Sequence, residues 1–147
     1  MKLGFYCEVL VDQSQVRDLI KKLNIDLDPL KYLYHITLMY DSESNFKEIE
    51  LKNPVGSCKV IGFDIFKDSG KDALVALVES NYIMQRHSEL ESFGFHHPFD
   101  NFIPHITLGY LKTDFKNNLK IDSKVDLDFN IKSRIDLICE RIDIIRN

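Results

Sequence analysis

Apolar and polar positions along this chain change period every ten residues or so. Residues 3–11 (LGFYCEVLV) alternate as a strand does, with Phe5 and Cys7 on one face and Tyr6 and Glu8 on the other. Over 13–23 the period lengthens. Val16, Leu19, Ile20 and Leu23 recur at the spacing of one helix face, and Asp12 with Gln15 marks the helix start. Residues 33–40 (LYHITLMY) return to a β-rich pattern. Residues 59–66 and 73–79 predict two strands with the turn DSGKD between them. A second helix is predicted over 81–93, with Ile83, His87, Leu90 and Phe93 along one face. The remaining predicted strands cover 103–110 (IPHITLGY), 125–131 and 135–145.

The order repeats. Each half holds a strand, a helix and then a strand reading His-Ile-Thr-Leu, with the two histidines about half a chain apart. Two copies are too few for a solenoid. The pattern predicts one α+β domain over 1–147 made of two similar lobes. In this pseudo-twofold arrangement, two antiparallel-rich sheets line a central cleft and the helices lie outside.

Composition narrows the function classes. The 147 residues are 44% hydrophobic and 29% charged, enough for one solvated domain with a substantial core. A net charge of −4 supplies no general basic field for long nucleic acid, but leaves room for a small anionic ligand in a local pocket. Cys7, Cys58 and Cys139 are odd in number and widely spaced, and read as free, core-forming thiols of a reducing compartment. The opening MKLGFYCEVLV lacks a cleavable signal pattern, and no apolar run nears the roughly 20 residues that span a bilayer. A cytosolic protein with no membrane partner is expected; the oligomeric state is open.

The chemistry concentrates in the repeated string. On a strand, His35 and Thr37 share one face while Ile36, Leu38 and Tyr40 take the other; His105 and Thr107 oppose Ile106, Leu108 and Tyr110 in the same way. Two imidazoles facing one space can divide proton transfer, one as base and one as acid, each contributing about 10²–10⁴ in rate. Threonine hydroxyls can donate to non-bridging phosphate oxygens, where charge develops. The set suits phosphodiester cleavage by a neighbouring 2′-hydroxyl, with no metal and no cofactor. The plainer reading is two strand histidines that are merely hydrogen-bonded. A single HxT would not rise above it, but two strand-like copies of HITL, each followed at the second position by tyrosine, do.

Paired HxT strands of this kind resemble the 2H phosphoesterase superfamily, which implies the bilobal fold and catalytic roles for His35, Thr37, His105 and Thr107. Residues 73–110 (ALVALVESNYIMQRHSELESFGFHHPFDNFIPHITLGY), together with YHITLMYDS, look more narrowly like the phage anti-CBASS nucleases: a strand leads into a helix carrying RHxEL, and an aromatic and acidic loop then leads to a PHIT strand. That resemblance implies cleavage of the 3′–5′ linkages of cyclic di- and trinucleotide messengers, and so suppression of bacterial antiviral signalling. Alternatives are a 2H enzyme acting on 2′,3′-cyclic phosphate or 2′–5′-linked RNA ends, and a non-catalytic nucleotide sponge.

Such a ligand needs stacking surfaces and readers of base edges. Tyr6, Phe66, Phe99 and Phe102 are candidates for stacking, although aromatics so placed more often build core. Glu140, an acid inside the apolar run IDLICERIDII, either faces solvent or accepts hydrogen bonds from a base. Lys67, Lys71 and Arg86 are candidates for phosphate contact against a default of solvated side chains. His87 reads as a partly buried, satisfied histidine. His96 and His97, near Asp100 and His105, suit a pocket rim better than a metal, since adjacent rings do not easily share one ion.

Overall fold

The computed structural model describes residues 3–42, 48–68, 70–98, 101–112 and 133–146. The strands are β1 (Leu3–Val11), β2 (Leu27–Asp28), β3 (His35–Asp41), β4 (Ser57–Asp68), β5 (Lys71–Glu79), β6 (His105–Leu111) and β7 (Arg134–Arg146). Two helices, α1 (Gln13–Leu23) and α2 (Asn81–Ser92), follow β1 and β5. The protein is α+β, and its strand pairings among the described residues are antiparallel. The predicted strand over 125–131 lies outside the described residues. The two-residue β2 was not anticipated, being too short to carry a period.

Both helices start where the sequence places them. The Asp12 side chain accepts from the Gln15 backbone N–H at 3.0 Å, filling one of the donors a helix start leaves open. Gln15 does not complete a capping box. Its amide instead exchanges two bonds with Asp136 on β7, one of them from the Asp136 N–H at 2.7 Å, tying α1 to the sheet. Helix α1 buries Val16, Leu19 and Leu23. Helix α2 buries Ile83, His87 and Leu90, as predicted, and also Arg86. Phe93 does not join them. It is the C-cap and stays exposed, because the helix ends at Ser92 and Gly94 turns away at φ +100°.

Two sheets were expected; one is found. Its strand order is β2-β6-β3-β1-β7-β4-β5, and β5 pairs back onto β6, so the sheet closes on itself. Closure follows from β6 being hydrogen-bonded along both edges, to β5 on one side and to β3 and β2 on the other. The bridge between β3 and β6 joins Ile36 to Ile106.

The two HxT strands sit in matching registers. On β1, Leu10, Val9 and Glu8 lie opposite His35, Ile36 and Thr37; on β5, Leu77, Ala76 and Val75 lie opposite His105, Ile106 and Thr107. Each register then slips by one residue, at Leu38 and at Leu108, which are both buried. Beyond the slip, Cys7 faces Met39 and Leu74 faces Gly109. The Met39/Gly109 difference has a steric cause. A Cβ on Gly109 would sit 2.8 Å from the Asp28 carbonyl oxygen and 2.9 Å from Leu27 Cβ, so only glycine lets β2 approach.

Candidate active site

Strand alternation puts Ile36 and Ile106 fully in the core and turns His35, Thr37, His105 and Thr107 to the other face. Each histidine is anchored the same way. His35 Nδ1 lies 2.9 Å from the Leu33 carbonyl oxygen, and His105 Nδ1 lies 2.8 Å from that of Ile103. A carbonyl only accepts, so in both rings Nδ1 carries a proton and Nε2 is the atom left for chemistry.

A cleft of about 750 Å³ opens over this face, lined by Tyr6, Thr37, Phe66, Phe102, His105 and Thr107 among others. His35 stands one layer back. The Tyr6 hydroxyl is 2.8 Å from His35 Nε2 and 2.9 Å from Thr37 Oγ1, and it donates to Glu8 at 3.4 Å. Glu8 Oε2 lies 3.2 Å from the same His35 nitrogen. Burial pushes the Tyr6 hydroxyl far above the ordinary phenol range, partly opposed by its bond to Thr37, so it remains a proton donor at neutral pH. Burial also holds His105 below the ordinary imidazole value, and the nearby His35 lowers it further, against the bond to Ile103. His105 therefore rests as the neutral base form.

Tyr40 was placed by simple alternation on the core side, and the structure corrects this. The extra residue at Leu38 leaves Leu38 and Met39 both buried and returns Tyr40 to the cleft face, where it pairs with Tyr6 and lines the cavity. A bulge of this kind has no local signature in LYHITLMY. Ile65 and Asn101 also line the cleft and were not singled out. The sequence shows Glu8 only as a neighbour in phase with Tyr6; an acid within the apolar run of β1 is the signal it carries.

Among the other candidates, Phe66 sits with its ring edge-on to His105 at 4.8 Å. Phe102 lines the cleft while stacking on His87 at 3.8 Å. Phe99 lies outside the described residues, as does Asp100. His87 is buried, with Nδ1 2.6 Å from the Leu38 carbonyl oxygen. His97 lines the cleft, and the backbone N–H of His96 donates to Asp41 at 2.7 Å. Among the described residues no group of three or more His, Cys, Asp or Glu side chains is placed to hold a metal ion. Lys67 lines the cleft and pairs with Asp72 at 2.8 Å, and Lys71 lies over the Tyr110 ring.

Glu140 and Arg86 are corrected together. Neither faces solvent or the cleft. Arg86 donates to both Glu140 oxygens at 2.9 Å, and Glu140 also accepts from the Tyr82 hydroxyl and from the Lys52 N–H. Both side chains are essentially fully buried. A carboxylate in an apolar run here marks an interior ion pair between β7 and α2, because burying either charge alone would be prohibitive.

No described helix is long and apolar enough to cross a membrane. A family profile described as "Anti-CBASS protein Acb1" matches residues 4–141. Proteins carrying that name are similar to this chain in three phages. The Vibrio phage KVP40 protein is 27% identical over 113 residues, covering 73% of this chain and 72% of its own length. The Acinetobacter phage Ac42 protein is 37% identical over 59 residues, covering 40% and 38%, and the Enterobacteria phage T4 protein is 28% identical over 75 residues, covering 50% and 49%. With both HxT strands inside the matched span, the chain belongs to the anti-CBASS Acb1 family.

Proposed function

We propose that this chain is a metal-independent phosphodiesterase of the 2H type, and that it cleaves 3′–5′ linkages of cyclic di- and trinucleotide messengers in the cytosol of an infected bacterium, blunting CBASS signalling. On this reading β1–α1–β3 and β5–α2–β6 are the two lobes of a 2H fold, meeting at Ile36 and Ile106. The observation that carries it is the matched anchoring of His35 and His105, each with Nδ1 held by a backbone carbonyl two residues before it, which leaves Nε2 as the reacting nitrogen in both rings. The family name supports the CBASS context, and a cavity of about 750 Å³ suits a small ligand rather than a long strand.

In the proposed reaction a ribose 2′-oxygen attacks the adjacent phosphorus. One histidine takes the 2′-hydroxyl proton, and the other gives a proton to the departing 5′-oxygen. Thr37 and Thr107 donate to the non-bridging oxygens as charge builds there. Phe66 and Phe102 offer surfaces for the bases.

The test is incubation of purified protein, in EDTA, with a panel of 3′–5′-linked cyclic di- and trinucleotides and with RNA bearing 2′,3′-cyclic phosphate ends. Linear product that disappears in His35→Ala and in His105→Ala supports the proposal. Binding without turnover points to a sponge, and turnover of RNA ends alone points to RNA metabolism; either outcome overturns it.

A further inference from the structure

The matched registers of the two HxT strands expose a chemical asymmetry. Opposite Thr37 stands Glu8, and opposite Thr107 stands Val75; opposite Tyr40 stands Tyr6, and opposite Tyr110 stands Ala73. The polar pair behind His35 is thus replaced behind His105 by two aliphatic side chains. Glu8 is buried, with Oε2 3.2 Å from His35 Nε2. Its other oxygen is taken by Arg141, at 2.6 Å from Nη2 and 3.1 Å from Nε, which fixes the carboxylate and leaves Oε2 aimed at the imidazole. The His105 ring instead packs against Phe66 in a T-shaped contact, and among the described residues no carboxylate pairs with it.

We propose, resting on the phosphodiesterase reading, that the two histidines are not interchangeable. Glu8 is a positioning residue that makes His35 the general acid and leaves His105 the general base. A proton on His35 Nε2 finds an acceptor already in place at Glu8. A proton on His105 Nε2 has no such carboxylate among the described residues, where the ring packs against Phe66 and lies near His35. The groups that face His35 are Tyr6 and Glu8 from β1, Arg141 from β7 by way of Glu8, Tyr32 from the preceding loop at 5.5 Å between rings, and His105 from β6. Among the described residues Glu8 is the anion within hydrogen-bond reach of Nε2. The lowered basicity of buried His105 agrees with a ring that starts the reaction neutral.

The step balances as a transesterification. The 2′-oxygen forms a bond to phosphorus as its proton passes to His105 Nε2. The bond from phosphorus to the 5′-oxygen breaks, and that oxygen takes the proton from His35 Nε2. The products are a 2′,3′-cyclic phosphate and a 5′-hydroxyl, with His35 neutral and His105 protonated. Attack of water with the roles reversed then opens the cyclic phosphate and resets both rings.

A change of leaving group separates the roles. The substrates are a 3′–5′ cyclic dinucleotide and its analogue with sulfur in place of the bridging 5′-oxygen, since a thiolate departs without being protonated. On the oxygen substrate, His35→Ala and His105→Ala each lose about 100-fold or more, and Glu8→Gln loses less. On the sulfur substrate, His35→Ala and Glu8→Gln return to within about 10-fold of wild type while His105→Ala stays about 100-fold down. A merely structural role for Glu8 would slow both substrates alike, and that result overturns the proposal. So does rescue of His105→Ala in place of His35→Ala. If wild type cleaves neither substrate, the phosphodiesterase reading itself falls and the assignment goes with it.

Discussion

Ile36 and Ile106, the middle residues of the two HxT motifs, lie opposite one another in the bridge between β3 and β6, and neither has any exposed surface. The two motifs therefore meet through an apolar contact at the seam of the closed sheet. Truncation there should act on both stability and rate. Ile106→Ala is expected to cost about 2–5 kcal/mol in urea unfolding and to lower kcat, whereas Ile106→Val should cost about 0.5–1.5 kcal/mol and keep most activity. Full activity in a folded Ile106→Ala protein would show that the seam does not set the geometry.

The buried state of His105 predicts a pH profile. A general base works only when unprotonated, so its activity is lost as pH falls through its own pKa. Burial lowers that pKa below 6.5. On the proposed reaction the acid limb of log(kcat/KM) against pH should therefore lie below pH 6.5, with activity retained in mildly acidic buffer. A limb above that value would assign the base elsewhere.

The Arg86–Glu140 pair should matter for folding and not for substrate. With both side chains almost wholly out of water, Glu140→Ala leaves a guanidinium buried without its partner, which should destabilise the protein by about 3–5 kcal/mol. The double change Arg86→Met with Glu140→Leu should recover much of that loss in the same unfolding experiment. KM measured on the folded fraction should stay near wild type. A large rise in KM would return Glu140 to the ligand.

Phe66 gives a binding prediction. Its ring lines the cleft and touches His105 edge-on. If it stacks on a base, Phe66→Ala removes about 1–3 kcal/mol, or roughly 5- to 150-fold in substrate affinity, while Phe66→Tyr leaves affinity nearly intact. Equal affinity in all three proteins, read by calorimetry on the inactive His105→Ala background, would exclude stacking.

Much of this molecule is legible in order along the chain. The alternation of LGFYCEVLV and the 3.6-residue recurrence from Val16 to Leu23 locate β1 and α1 to the residue, and Asp12 marks the cap. The repeated HITL identifies the four side chains that share the cleft face, because period two within a strand is a local property of the backbone. The cleft face of Tyr40 was misread because a bulge at Leu38 arises from the pairing of β3 with β1, not from β3 alone. Arg86 and Glu140 read from the sequence as solvent-facing or ligand-contacting because each is half of an ion pair whose members meet only after α2 packs on β7.

The elements and the chemical groups are local in the chain: two HxT strands, two helices, the first with its Asp12 cap, and a core of Ile, Leu and Val at the periods each element requires. Those are decided within a few residues of chain. The assembled sheet sets the rest: the strands close through Ile36 and Ile106, a carboxylate pairs with His35 while the His105 ring packs against Phe66, and Glu140 belongs to the interior. Each of these depends on contacts between residues distant in sequence, whose meeting is set by strand register and burial and not by any local pattern.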